Sequence, residues 1–261
     1  MSRPARRATG PRRPGTYVFC LFESASPTQL AGVPDGPRGL GPVRVLRIDG
    51  RLWAAVADAP AGRFSEAAIR AALLSVEQVG TAALAHEAVV RFFFRRRAVI
   101  PLKMYTIYAS DDRVVADLRL QAARLVRLLG RLAGRQEWGV TLAAGRTPRS
   151  AKEPAVPTSG REYLQARRRA ISNATRRSPS DAAGALMRAL SPGTVEQRLV
   201  DREPESGGPA VAAAFLVDRA RLPAWRKRMA GLRARLAPDG WKVSVTGPWP
   251  AYSFIGALDG D

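Results

Sequence analysis

The chain has 261 residues, with 42 Lys plus Arg against 22 Asp plus Glu, a formal net charge of +20 and a pI near 11.5. That length holds one large domain or two small ones, and 46% hydrophobic with 25% charged residues describes a globular chain, so disorder of the whole is excluded. The longest apolar run, Ala210 to Val217, is far short of the roughly 20 residues a membrane-spanning helix needs, and Cys20, the only cysteine, admits no internal disulfide.

Residues 1–15 carry five arginines with no apolar segment behind them, which predicts a disordered basic tail rather than a secretory signal and a cytoplasmic protein. Tyr17 to Phe22 reads as a strand. After a Pro/Gly-rich loop, Val43 to Ile48 and Leu52 to Ala57 read as two more, joined at Asp49-Gly50, residues that tolerate the positive φ of a tight hairpin. Ser65-Glu66 then opens a helix with Ile69, Leu73 and Val76 at helical spacing. A second helix is predicted from about Thr81 to Arg95, and strand character returns from Ala98 to Tyr108. Asp111-Asp112 opens the strongest helix, with Val115, Leu118, Ala122, Leu125, Leu129 and Leu132 on one face and arginines on the other, ended by Gly134.

Glu137 to Ala143 reads as a strand, Gly145 to Ser159 as a Pro/Ser/Thr-rich connector, and Gly160 to Arg177 as a basic helix. Beyond Ser178-Pro179, Ala182 to Leu190 resumes helical composition. Val195 to Val200 and Ala210 to Val217 read as strands, and Pro223 starts a helix with Trp225, Met229, Leu232 and Leu236 on one face. Trp241 to Val245 and Ala251 to Ile255 are predicted as closing strands. The order predicts an α+β protein of two domains: an N-terminal ferredoxin-like sheet with covering helices over 16–145, a linker over 146–159, and a smaller C-terminal α+β domain over 160–261.

The catalytic inventory is thin. His86 is the only histidine, so neither an HExxH zinc site nor any multi-histidine metal centre can be assembled, and no metal is expected. No GxSxG elbow, GxxxxGK[ST] loop or strand–GxGxxG–helix unit occurs, so no cofactor, no small-molecule substrate and no enzyme activity are expected. A nucleic-acid-binding module on a ferredoxin-like sheet is the alternative reading: the charge meets the electrostatic criterion. The readout criterion fails, because Arg91 to Arg97 (RFFFRRR) lacks the glycines of an RNA-recognition motif and falls at a helix end, where Phe92, Phe93 and Phe94 read as core. No specific nucleic acid and no membrane are expected as partners.

Thr246 to Phe254, TGPWPAYSF, resembles the signature end of the gas vesicle GvpL/GvpF family. Other segments follow in that family's order: a YVF strand at the N-terminal end, His86-Glu87, Pro101-Leu102, EWGV from Glu137 through Trp138 and Gly139, and GREYL with Tyr163 and Leu164. Where the family commonly has PxRFG, this chain has Lys103, Met104 and Tyr105 in place of the arginine, aromatic and glycine. The resemblance implies a non-catalytic accessory or minor structural protein of gas vesicle assembly, located with gas vesicles in the cytoplasm and associating with the main shell protein and other accessory proteins. Pro248 and Pro250 fix φ on both sides of Trp249, so Thr246, Gly247, Pro248, Trp249, Pro250, Tyr252 and Phe254 are expected to form a rigid aromatic wedge at a seam between domains.

Overall fold

The computed structural model describes residues 14–144, 178–200 and 210–256. The chain divides into two compact units. One is formed by the chain up to Gly134 together with the segment from Pro250 onward, and the other by Arg135 to Trp249.

The first unit is built on β1 (Gly15–Glu23), β2 (Arg44–Asp49), β3 (Leu52–Ala59) and β4 (Val99–Pro101), hydrogen-bonded in the order β2-β3-β1-β4, with the short β5 (Ile107–Tyr108) also paired to β1. All pairs are antiparallel. The β2–β3 hairpin turns at Gly50, whose φ of 44° lies in the left-handed region. β1 is buried along seven of its nine residues, as a central strand covered on both faces must be. A register shift between Val18 and Cys20 resets the alternation, so Tyr17, Phe19, Cys20 and Phe22 join one core cluster. Helix α2 (Val76–Phe94) supplies Val89, Val90, Phe92, Phe93 and Phe94 to that cluster, and α1 (Glu66–Leu73) precedes it, each helix capped by a serine, Ser65 and Ser75.

Helices α3 (Asp111–Leu120) and α4 (Ala122–Leu132) follow β5. The continuous helix expected from 111 to 132 is broken at Gln121, where the cap residue's ψ of 4° departs from helical geometry. Asp111 anchors the start of α3: it accepts hydrogen bonds from Thr16 Oγ1 (2.7 Å) and from both terminal nitrogens of Arg44 (2.8 and 2.9 Å). The Arg44 guanidinium accordingly holds the Asp111 carboxyl below its ordinary range.

The second unit contains β6 (Arg135–Ala144), α5 (Pro179–Leu190), β7 (Thr194–Val200), β8 (Ala210–Asp218), α6 (Leu222–Leu236) and β9 (Trp241–Trp249). Its sheet order is β7-β8-β6-β9, again antiparallel throughout. Trp138, Phe215 and Val217 of the sheet pack with Leu186 and Leu190 of α5 and with Trp225, Met229, Leu232 and Leu236 of α6. Those four α6 residues are the ones its periodicity selects.

Several expectations are corrected. β6 pairs with β8 and β9, so the first unit ends at Gly134 rather than 145, and the segment from Pro250 belongs to the first unit rather than to a domain over 160–261. Composition marks a Pro/Ser-rich stretch but not which strands on either side of it pair, which is why it misplaces the boundary. The strand expected over Ala98 to Tyr108 is two short strands separated by a turn, and Ala251 to Ile255 holds a 3-10 turn, Tyr252–Phe254, instead of a strand. The expected helix over Gly160 to Arg177, the connector over 146–159 and most of the basic tail lie outside the described residues.

Candidate functional site

The positions singled out in the sequence fall into two groups, one in each unit. In the first unit, successive residues of a helix point about 100° apart, so His86 and Glu87 on α2 face different neighbours. His86 is 4% exposed. Its Nδ1 lies 2.8 Å from Tyr17 Oη and its Nε2 3.1 Å from the Leu102 carbonyl oxygen. A carbonyl only accepts, so Nε2 carries the proton and Nδ1 accepts the Tyr17 hydroxyl hydrogen. Tyr17 Oη in turn accepts the Tyr105 backbone N–H at 3.1 Å. Every polar atom of this chain of groups is satisfied with the imidazole neutral. Burial pushes the His86 pKa down to about 4 and the Tyr17 phenol well above its ordinary value.

Glu87 faces the C-terminal segment. Tyr252 Oη donates to Glu87 Oε2 at 2.7 Å across 165 residues of sequence, and Arg91 Nε stands 3.4 Å from Oε1. Burial raises the Glu87 pKa, with Tyr252 and Arg91 opposing the rise, and burial raises the Tyr252 phenol, with the Glu87 charge adding to it. The same segment buries Phe254, whose carbonyl accepts from the Arg131 guanidinium. Pro101, in β4, is buried and pairs with Cys20 of β1, a thiol pushed up by burial and so held as the protonated, unreactive form at neutral pH. Tyr105 is the one non-glycine described residue with positive φ, 67°, at the position where the family resemblance leads one to expect glycine.

In the second unit, Glu137, Trp138 and Gly139 on β6 meet Thr246, Gly247 and Trp249 on β9. Glu137 pairs with Trp249 and Gly139 with Thr246, with a register shift between the two pairs. Gly247 occupies that irregularity at φ 125°, and a Cβ there would come within 2.8 Å of the Glu137 carbonyl oxygen and 3.1 Å of the Trp138 ring. Gly139 is tight in the same way, its Cβ position lying 2.7 Å from Thr246 Oγ1. Trp138 is buried, 5.9 Å from Trp225 between ring centroids, with the Arg226 guanidinium 5.1 Å above it. Pro248 is exposed, Trp249 half-buried and Pro250 buried.

Tyr163 and Leu164 lie outside the described residues. Reading by motif reaches Tyr17 and Tyr105 without their contacts and misses Arg91 and Arg131; the Tyr17–His86 and Arg131–Phe254 contacts join residues far apart in sequence and carry no spacing signal. Among the described residues no three His, Cys, Asp or Glu side chains cluster as metal ligands would. The polar atoms that are brought together join chain segments: a neutral histidine, a buried thiol and a carboxylate held by a tyrosine.

The sequence model of one protein family, described as "Gas vesicle synthesis protein GvpL/GvpF", matches residues 15–256. "Gas vesicle protein L" of Streptomyces sp. (strain CB03234) is 37% identical over 247 residues, 88% of this chain and 90% of that protein. "Gas vesicle protein F" of the same strain is 27% identical over 258 residues, 92% of this chain and 99% of that protein. The crystal structures of GvpF from Anabaena sp. PCC7120 and from Microcystis aeruginosa share the fold with TM-scores of 0.65 and 0.63 at 18% and 16% identity, each covering 92% of this chain and 98% of the other. With its α+β fold of two antiparallel sheets and a family match over nearly its whole length, the chain belongs to the gas vesicle GvpL/GvpF family.

Proposed function

We propose that the chain is a non-enzymatic accessory or minor structural protein of gas vesicle assembly that acts in the cytoplasm by associating with the main shell protein and other gas vesicle proteins. The observation that carries this reading is the 37% identity to a gas vesicle protein L across 90% of that protein's length. The character of the positions that carry the family resemblance supports it: His86, Glu87, Tyr252, Trp138, Gly139 and Gly247 hold strands, helices and the C-terminal segment in register within their units, and none presents an activated nucleophile or an exposed acid/base pair.

Deleting the gene in a vesicle-forming host and co-purifying the tagged full chain with the shell protein test the reading together. Lost or misshapen vesicles and recovery of the shell protein are expected. Normal vesicles, or RNA binding that persists near physiological salt and discriminates between sequences, would overturn it, since phosphate-driven binding by a +20 chain falls steeply with salt. Trp249→Ala separates a structural from a contact role for the TGPW segment: a structural indole lowers the melting temperature of the isolated protein, whereas a contact indole leaves melting unchanged and abolishes co-purification.

A further inference from the structure

Helix α1 is amphipathic, yet none of its residues is buried. A helix with an apolar face normally lays that face against a core. Here Ile69 and Ala72 instead look into a groove of about 690 Å³ between the α1–α2 corner and two turns, with Phe64 and Tyr105 as its aromatic walls. Four of the nine exposed large hydrophobic residues of the described chain, Leu73, Leu74, Val76 and Leu84, belong to α1, α2 and the turn between them; they stand outside the groove itself, the first three beside its lining residues Ala72, Ser75 and Glu77 in sequence, and Leu74 and Val76 are 88% and 89% exposed. An apolar surface of this kind, rimmed by charge, marks a binding face.

The rim is basic. Arg38 and Arg63 line the groove with no carboxylate partner among the described residues, while nearby Arg70 is taken up by Glu66, and Glu77 is the sole acid of the lining. The Arg63 side chain lies against Gly39, whose φ is 96° and whose Cβ, if it had one, would sit 2.3 Å from Arg63 Cδ. Only a glycine lets that side chain run so close to the backbone.

We propose that this groove is a docking site for an acidic amphipathic helix of a partner protein, its apolar stripe seated on the α1–α2 corner and its flanking carboxylates paired with Arg38 and Arg63. Helix-in-groove recognition needs a concave, partly apolar seat with charged edges, here Phe64, Ile69, Ala72 and Tyr105 with Arg38 and Arg63. A second copy of the chain is disfavoured by +20 meeting +20. A membrane surface is disfavoured by shape, because a bilayer cannot fill a concavity; α1 and α2 together have the length and composition of a span but are bent by 111°. The proposal goes beyond the assembly reading and is tested without the shell protein, so either can fail alone.

The test uses the full chain and two labelled synthetic helical peptides with the same leucine stripe, one flanked by glutamates and one by lysines, in fluorescence anisotropy near physiological salt. The glutamate-flanked peptide is expected to bind roughly tenfold tighter or more, and Arg38→Glu/Arg63→Glu to remove that preference. Arg113→Glu/Arg127→Glu, the same charge change on the exposed faces of α3 and α4, is expected to leave the preference in place, and Ile69→Ser, in the groove lining, to weaken both peptides. Circular dichroism checks that each variant is folded, and Arg38→Glu alone repeats the charge test without disturbing the Arg63–Gly39 contact. Equal loss in both arginine pairs would show only the general field of a basic protein. Binding to phosphatidylglycerol vesicles in preference to the peptide, or self-association lost in Ile69→Ser, would assign the surface to a membrane or a second copy. Each of these results overturns the proposal.

Discussion

The two units have the same strand order and different interiors. Numbering strands within each unit, both sheets run 2-3-1-4 with every pair antiparallel. In the second unit, among the described residues, each crossover carries one packed helix, α5 after β6 and α6 after β8. In the first, the stretch between β1 and β2 has no helix, and the crossover after β3 holds two, of which only α2 enters the core. The buried polar groups also differ. The first unit buries His86 with both ring nitrogens paired and leaves Glu87 Oε1 with only the Arg91 charge nearby, whereas the second buries the neutral indole nitrogens of Trp138 and Trp225 with no hydrogen-bond partner among the described residues. A strand order is therefore met by more than one way of covering a sheet, and the polar cost of each interior is settled locally.

The largest test of that contrast is at Trp225. Trp225→Ala should cost about 3 to 5 kcal/mol, as truncating a fully buried indole does. Trp225→Phe should cost only about 1 kcal/mol, because it removes an N–H that has no partner along with the lost area. Urea unfolding of both variants checks this, and equal losses would show that the indole nitrogen is satisfied after all.

His86 tests the opposite case. Its folded pKa lies near 4, below the 6.5 of a free imidazole, so the unfolded chain takes up the proton first as pH falls. The stability it contributes is complete above 6.5 and is lost as pH drops toward 4, about 3 kcal/mol in all. Glu87, raised by burial, works the other way, so part of the loss is offset. His86→Gln should lower stability at neutral pH and flatten its fall between pH 6.5 and 4; an unchanged slope would remove His86 from the account.

The smallest test is at Tyr105, where a side chain sits at φ 67°. The left-handed conformation costs a non-glycine residue roughly 1 kcal/mol. Tyr105→Gly relieves that cost and loses the ring packed on the core cluster, whereas Tyr105→Ala loses the ring and keeps the cost. The glycine variant should therefore exceed the alanine variant by about 1 kcal/mol in thermal unfolding, and the reverse order would refute the strain.

Much of this was legible in the sequence, and the failures share a cause. Alternation and turn chemistry place β1, β2 and β3, and helical spacing selects the buried face of α6, because those signals are local. The break at Gln121 is silent, since no glycine or proline marks it and the leucines keep their spacing through it. The partition of β6 into the second sheet and the Tyr252–Glu87 bond are decided by pairing across long stretches of chain, which no local pattern encodes. At the site, the pairs His86-Glu87 and Trp138-Gly139 stood out only through the family resemblance; their partners Tyr17, Tyr252 and Gly247 explain physically why those residue types are there.

The chain leaves the first unit at Gly134 and re-enters it at Pro250. On the ribosome, the codons for the whole second unit are read in between, roughly 6 to 23 s of synthesis at ordinary elongation rates. Through that interval Glu87 of the emerged α2 has no Tyr252 to hold it, and the Arg131 guanidinium has no Phe254 carbonyl to meet. The first unit is thus begun first and finished last, and its completion reports that translation has passed through the second.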